Sequence, residues 1–362
     1  MFTIVDTAGW GDGSGAGPGR PTEEGVSIVF AARISGLGTY RPERIVDNES
    51  ICTSIDSDPD WITSRTGIIT RRRAEPGEAT SDVALRAAVG ALESAGTRDV
   101  DMLILATATP DFISPPTAPI VAEALGLGAI PAFDISAACT GFLYGLQVAA
   151  SIVRSGGARR VLLVCAETAS RFTDPTDRNT AAIFADGAGA VVIESADDLE
   201  SDGVLGDVVL GADGLHHDLV MMPGYGGRDR ASESLGSTTP FITMDGKPLF
   251  VQAVERMSEA VRESLDRNGI SVDDVAIFVP HQANGRIIDA VADELELGPD
   301  RVIVDIDQAG NTIAASIPLA LGRALADGRL HRGDRVMLAA FGAGASWGAT
   351  TFTWPALSTT AT

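Results

Sequence analysis

Residues 91–108 read ALESAGTRDVDMLILATA, and residues 262–280 read RESLDRNGISVDDVAIFVP. Each stretch is a helix end, a glycine, a Val-Asp pair and then an apolar run. A glycine after the last helical turn supplies the left-handed residue that closes a helix. A short apolar run after it reads as a buried strand. The match extends further along the chain. Asp134-Ile135 precedes a small-residue turn, an apolar helix and Arg160-Val161-Leu162. Asp305-Ile306 precedes a small-residue turn, an apolar helix and Arg335-Val336-Met337. Any α/β chain shows helix–glycine–strand recurrences, but here order and spacing hold together. The expected organisation is two similar α/β halves, residues 26–204 and 205–362.

Working outward, SDVALRAAVGALESAG (81–96) has helical apolar spacing, and MLILATA (102–108) reads as a buried strand. A second buried strand lies around AIPAFDIS, followed by an apolar helix over about 140–155. RRVLLVCAE (159–167) is another strand, and AIFADGAGAVVIES a strand pair or strand-turn element. Such runs imply sheets covered by helices on both faces. Residues 1–25 are rich in Gly, Pro, Ser and acids and are expected to be disordered, with the fold starting near Val26. Their glycines do not fit a G-x-G-x-x-G phosphate loop.

A chain of 362 residues, 45% apolar and 21% charged, fits a globular protein with a sizeable core. No stretch approaches the ~20 apolar residues of a membrane span. The absence of a basic-then-apolar leader points to the cytoplasm. Three cysteines (Cys52, Cys139, Cys165) are too few and too scattered for a disulfide framework or a zinc site, so no metal is expected. The net charge of −22 disfavours nucleic acid and anionic membrane as partners. Lys247 is the only lysine; the remaining cations are arginines. Arg71, Arg72 and Arg73 read as a solvated face.

Three residues stand out chemically. Cys139, in DISAACTGF, follows a strand and opens an apolar helix. The helix dipole and free N–H groups there are expected to lower the thiol pKa and favour the nucleophilic thiolate. Cys165, mid-strand, and Cys52 read as structural. His281, in VPHQANGRII, ends a buried strand, where open α/β sheets bind ligands. His216, His217 and His331 lie in polar loops. Asn311, in QAGNTIAAS, takes nearly the place in half two that Cys139 takes in half one. It can donate to a carbonyl oxygen or simply cap a helix. AAFGAGASWG (339–348) is a strand and a small-residue turn, able to aim an N–H at an oxyanion or to be a tight hairpin.

Together, DWITSRTGI (60–68), DISAACTGF (134–142), DPTDRNTAAIFADGAGA (174–190), HQANGRII (281–288), GNTIAAS (310–316) and FGAGASWG (341–348) resemble β-ketoacyl-ACP synthase III. The likeness runs from about Ile28 to Trp354. It implies a five-layered αβαβα thiolase fold from two duplicated halves, and a homodimer. It implies a Cys139–His281–Asn311 triad that takes an acyl group from acyl-CoA and condenses it with a malonyl thioester on acyl carrier protein (ACP) or CoA. No organic cofactor is implied. The backbone N–H groups of Cys139 and Ala343 would hold the oxyanion, with Phe341 beside the cysteine. Trp61 and Arg178 match the pair that sandwiches adenine, and Arg65 a phosphate contact. Met244, Gly246, Phe250 and Asn284 match the pantetheine channel, and Arg286 a carrier-protein docking arginine. Ser114 falls where acetyl-specific members close the acyl pocket across the dimer with a Phe, which implies longer or branched starters. Gly285 replaces a larger residue, and Ala343 a glycine. The pathway implied is fatty acid or polyketide biosynthesis.

Three alternatives share features with this reading. An acyltransferase on the same fold would pass the acyl group from Cys139 to a hydroxyl or amine, but such relatives often alter the Asn or His. A papain-like hydrolase would carry disulfides and place its cysteine near the N-terminus. A chain-length factor would lack the cysteine.

Overall fold

The computed structural model describes residues 31–224, 226–231 and 239–357. The expected disordered extension over 1–25 and the start at Val26 lie outside the described residues. The first sheet has five strands in the order Ala31–Tyr40, Asp186–Ala196, Arg160–Thr168, Met102–Ala106 and Ala132–Ile135. Its first two pairings are antiparallel and its last two parallel. The second sheet runs Val209–Ala212, Ser346–Thr353, Arg335–Gly342, Ile277–Pro280. Its pairings are antiparallel, antiparallel and parallel. Val302 bridges Phe278 in parallel and stands where a fifth strand would lie. Both sheets thus follow one plan, as the matched landmarks anticipate.

Alternation along the strands sets the layers. Val161, Leu163 and Cys165 face one way, into a core shared with helices Gly141–Arg154 and Ser316–Ala326 and with Val336, Leu338 and Ala340 of the second sheet. Leu162, Val164 and Ala166 face the other way, onto helix Thr80–Ser94. Met337, Ala339 and Phe341 likewise face helices Gly246–Asn268 and Gly285–Glu294. This period-2 pattern gives each sheet two apolar faces, and each face needs a helix layer. The result is α, β, α, β, α, with the two most apolar helices in the middle. The outer helix seats directly on the first strand: a Cβ on Gly38 would lie 2.1 Å from the Ala91 nitrogen.

Of its two readings AIFADGAGAVVIES takes the strand-turn one, a turn and one long strand, Asp186–Ala196. One expectation changes. Arg71 is wholly buried, not solvated. Its guanidinium donates to Val46 O, Asn48 Oδ1 and Ala182 O at 3.2, 2.7 and 2.8 Å. Three acceptors inside the fold replace the water that its surface position would have supplied, while burial still lowers its pKa to about 10.

Candidate active site

The two central helices each begin with a 3-10 turn, Ala138–Thr140 before one and Ile313–Ala315 before the other. Ala138 and Ile313 both take left-handed backbone, φ 44° and 49°. The structural counterpart of Cys139 is therefore Ala314, and Asn311 lies three residues earlier than a strict match would put it. The helix starts meet closely, because a Cβ on Gly141 would sit 3.1 Å from the Ala314 Cβ.

Asn311 is held by its backbone. Its N–H donates to Ile183 O at 3.0 Å, and its carbonyl accepts from Ala185 N–H at 2.9 Å. Gly310 before it has φ 68°, and a Cβ there would press the Ala185 and Arg71 Cβ atoms at 2.9 and 3.0 Å. Asn311 Oδ1 accepts from Ile313 N–H at 2.9 Å. That bond does the capping work expected of an Asn, and it also fixes the amide so that Nδ2 is the donor left over. His281 follows strand Ile277–Pro280 and is buried. Its Nδ1 lies 2.5 Å from Ser316 Oγ, and its Nε2 has no protein partner. Burial lowers its pKa to about 3, so the imidazole is neutral at physiological pH. Gln282 N–H donates to the same Ser316 Oγ at 3.3 Å. The Ser316 hydroxyl is thereby free to donate to Nδ1, which leaves the imidazole proton on Nε2.

A narrow apolar cavity of about 40 Å³ brings these residues together. Cys139, His281, Asn311, Phe341, Ala343 and Met244 all line it. Cys139 does not carry the lowered pKa expected of a helix start. Packing pushes its thiol up to about 12, and the Glu167 carboxylate adds to the rise; the N–H groups of Cys139 and Ala343 pull the other way. Part of the cysteine surface faces the cavity. The physical reason is that desolvation of an anion outweighs two N–H dipoles. Those N–H groups nonetheless converge on the sulfur, and the arrangement fits charge that appears during reaction. Glu167 is itself fully buried without a cation; burial raises it to about 7 against the bonds from Thr109 Oγ1 and Ala108 N–H.

The other expected residues divide. Arg178 lies flat on Trp61, its guanidinium carbon 4.0 Å from the ring centroid. Arg65 is exposed on the same helix as Trp61, Pro59–Thr66. Arg286 is exposed and donates to Ser64 O at 3.2 Å, so it borders that helix. Asn284 caps helix Gly285–Glu294, its side chain accepting from Arg286 N–H. Gly285 has a reason to be small, since a Cβ would come within 3.3 Å of Thr66 O. Gly246 is the exposed first residue of the long helix. Phe250 does not line the cavity. Leu249, Ala253 and Met257 occupy its inner face at four-residue steps, which turns Phe250 and Val251 into an outer groove. Ser114 is exposed and is not brought to Cys139 by its own chain. Its neighbours Phe112 and Ile113 border a larger cavity of about 660 Å³, whose walls Ala108, Phe172 and Met222 pack in one cluster with Cys139. Sequence reasoning missed Ser316 and Glu167. Ser316 ends the quoted GNTIAAS motif, and nothing local marks a buried carboxylate without its neighbours.

The description "3-Oxoacyl-[acyl-carrier-protein (ACP)] synthase III" matches residues 133–214, and its C-terminal counterpart matches 265–354. A Streptomyces coelicolor protein named beta-ketoacyl-[acyl-carrier-protein] synthase III 5 is 48% identical over 326 residues, 90% of this chain and 98% of its own. The crystal structure of 3-oxoacyl-(acyl carrier protein) synthase III from Pseudomonas aeruginosa has TM-score 0.85 and 46% identity, covering 91% of this chain and 99% of that one. A priming beta-ketosynthase from a polyketide biosynthetic pathway has TM-score 0.84 and 39% identity, covering 90% and 96%. The chain belongs to the β-ketoacyl-ACP synthase III family of thiolase-fold condensing enzymes.

Proposed function

We propose that the protein initiates fatty acid or polyketide chains by condensing an acyl-CoA with malonyl-ACP, acting as an acyltransferase at Cys139. The observation that carries this is the shared cavity of Cys139, His281 and Asn311, with two N–H groups converging on the sulfur. The Cys139 sulfur attacks the thioester carbonyl, and its proton leaves with the CoA thiol. The oxyanion is held by the N–H groups of Cys139 and Ala343. Malonyl thioester then binds, and His281 Nε2–H and Asn311 Nδ2–H donate to its carbonyl. Loss of CO2 leaves an enolate stabilised by those two donors. Its carbon attacks the acyl-enzyme, the C–S bond to Cys139 breaks, and the 3-oxoacyl thioester departs. Neither metal nor organic cofactor takes part.

The Trp61–Arg178 stack is where CoA adenine binds, with Arg65 near its phosphates and Met244, Gly246 and Asn284 along the pantetheine. Arg286 is a local cation for an acidic carrier on a protein of net charge −22. The active form is a cytoplasmic homodimer. Strand Ala132–Ile135 leaves one edge of the first sheet unpaired, and Phe112 and Ile113 beside it are 56% and 76% exposed. In that dimer Ser114 of one protomer reaches the acyl pocket of the other and admits starters larger than acetyl. Among the described residues no helix is long and apolar enough to cross a membrane.

The test is to incubate the purified protein with acyl-CoAs from acetyl to octanoyl, map the adduct by mass, and chase with malonyl-ACP. An acyl group on Cys139 that becomes a 3-oxoacyl product supports the reading. An adduct that malonyl-ACP leaves in place but an alcohol or amine removes would instead make it a tailoring acyltransferase. Asn311→Ala should load normally and lose condensation by at least ~100-fold. Normal condensation in that variant would remove Asn311 from the reaction.

A further inference from the structure

Two hydroxyls join the turns that supply the oxyanion N–H groups. Thr140 Oγ1 lies 2.7 Å from Ala137 O and 2.8 Å from Ser346 Oγ. Ser346 Oγ lies 3.1 Å from Ala343 O. The chain of oxygens thus runs from the carbonyl two residues before Cys139 to the carbonyl of Ala343 itself. Two protons make two of these three contacts hydrogen bonds at once, so the Oγ–Oγ link ties the turns together along with one of the two carbonyls, each one peptide unit from the N–H it steadies. Both side chains are buried, at 0% and 7% exposure, so no water competes. The two turns come from different halves of the fold, and the Ala343 N–H of one also meets the Cys139 sulfur of the other. A Cβ on Gly342 would lie 2.9 Å from the Cys139 nitrogen, which shows how closely they approach. Both turns also hold alanines in left-handed backbone, Ala138 and Ala345, each at φ 44°. Such residues persist only where their surroundings over-determine them.

We propose that Thr140 and Ser346 are positioning residues, a hydroxyl clamp that holds the Cys139 and Ala343 N–H groups at the spacing an acyl oxyanion requires. They touch no substrate and act through the two turns. This rests on Cys139 being the acylated nucleophile. Rigid placement of such donors matters because misplacement of a fraction of an ångström weakens each bond to the oxyanion.

The test separates reactions with and without an oxyanion. Acyl loading from acetyl-, butyryl- and octanoyl-CoA forms one; alkylation of Cys139 by iodoacetamide does not. In Thr140→Val and in Ser346→Ala, the loading rate should fall about 10- to 100-fold, less than the ~100- to 1,000-fold of a lost oxyanion donor. Alkylation, whose thiolate meets the same two N–H groups, should fall by a smaller factor than loading, and the KM for acyl-CoA should not rise. Thr140→Ser, which keeps the hydroxyl, should restore loading, and the double variant should be no slower than the worse single one. If Thr140→Val does not fold, Ser346→Ala reads the same loss. Loading at the parental rate in these variants would overturn the clamp. So would loading and alkylation falling by the same factor, since that leaves the oxyanion untouched. A parent protein that takes no acyl group on Cys139 would instead overturn the proposed reaction, and the clamp with it.

Discussion

Burial shifts three groups at the site toward their neutral forms, and each shift has a measurable consequence. The Cys139 thiol, pushed up to about 12, carries its proton at neutral pH. Its alkylation by iodoacetamide should therefore rise about tenfold per pH unit from 7 to 10, following the thiolate fraction. A plateau reached by pH 8 would mean a lowered pKa instead. His281, at about 3, should contribute no limb to the pH–rate profile of condensation above pH 5. Glu167 is the group that titrates in range. Its folded pKa of about 7 stands above the ordinary 4.5, so between those values the folded state binds more protons than the unfolded one. Its contribution to stability is complete below pH 4.5 and is lost as pH rises through 7, by roughly 3 kcal/mol in all. Urea unfolding of the parent and of Glu167→Gln at pH 5 and pH 8 should show a smaller drop in the variant. Equal drops would mean that Glu167 ionises no differently in the fold.

At the scale of elements, the two 3-10 turns and the short helix Pro59–Thr66 do most to shape the site. The turns place Cys139 and Asn311 against one cavity because each heads a central helix. The short helix carries Trp61 on its outer side, where Arg178 covers it at 4.0 Å. An aromatic base between them needs roughly 7 Å, two van der Waals contacts, so the proposed CoA site requires Arg178 to swing aside. Base stacking contributes ~1–3 kcal/mol. Trp61→Ala should thus lower kcat/KM for acyl-CoA about 10- to 100-fold and leave acyl-pantetheine, which lacks the nucleotide, unaffected. An equal loss with both donors would place Trp61 in the fold and not in CoA binding. On the long helix Gly246–Asn268, four-residue periodicity sends Leu249 into the cavity and Phe250 into an outer groove.

For the whole molecule, the proposed dimer and the charge are the remaining determinants. An edge strand with Phe112 and Ile113 beside it exposes apolar surface that a second copy would cover. Ile113→Asp should shift sedimentation toward a monomer and, by removing the partner's Ser114 loop, weaken acyl selectivity. A variant that sediments like the parent would move the interface elsewhere. The acidic surface should make carrier docking sensitive to salt, because Arg286 and its neighbour Arg65 work against a net charge of −22.

Local order was legible in the sequence. The apolar runs gave the strands, glycines marked where helices end, and landmarks recurring at matched spacing disclosed two halves with one strand order. Cys139 and His281 could be singled out because each follows a strand and opens a turn, and Asn311 because it opens the matching turn of the second half, positions set by neighbours along the chain; the short helix Ile306–Ala309 stands before Asn311 where a strand was expected. What the tertiary structure alone decided depends on neighbours across it. Arg71 lies inside because three acceptors from distant segments meet it there. The Cys139 thiol is raised because burial and Glu167 outweigh the helix start that the sequence displays. Ser316 gains its role only when its helix meets the strand that ends before His281, and the Thr140–Ser346 pair only when the two halves bring their turns within hydrogen-bond distance. Periodicity records which way a side chain faces; only the folded chain decides which groups desolvate it.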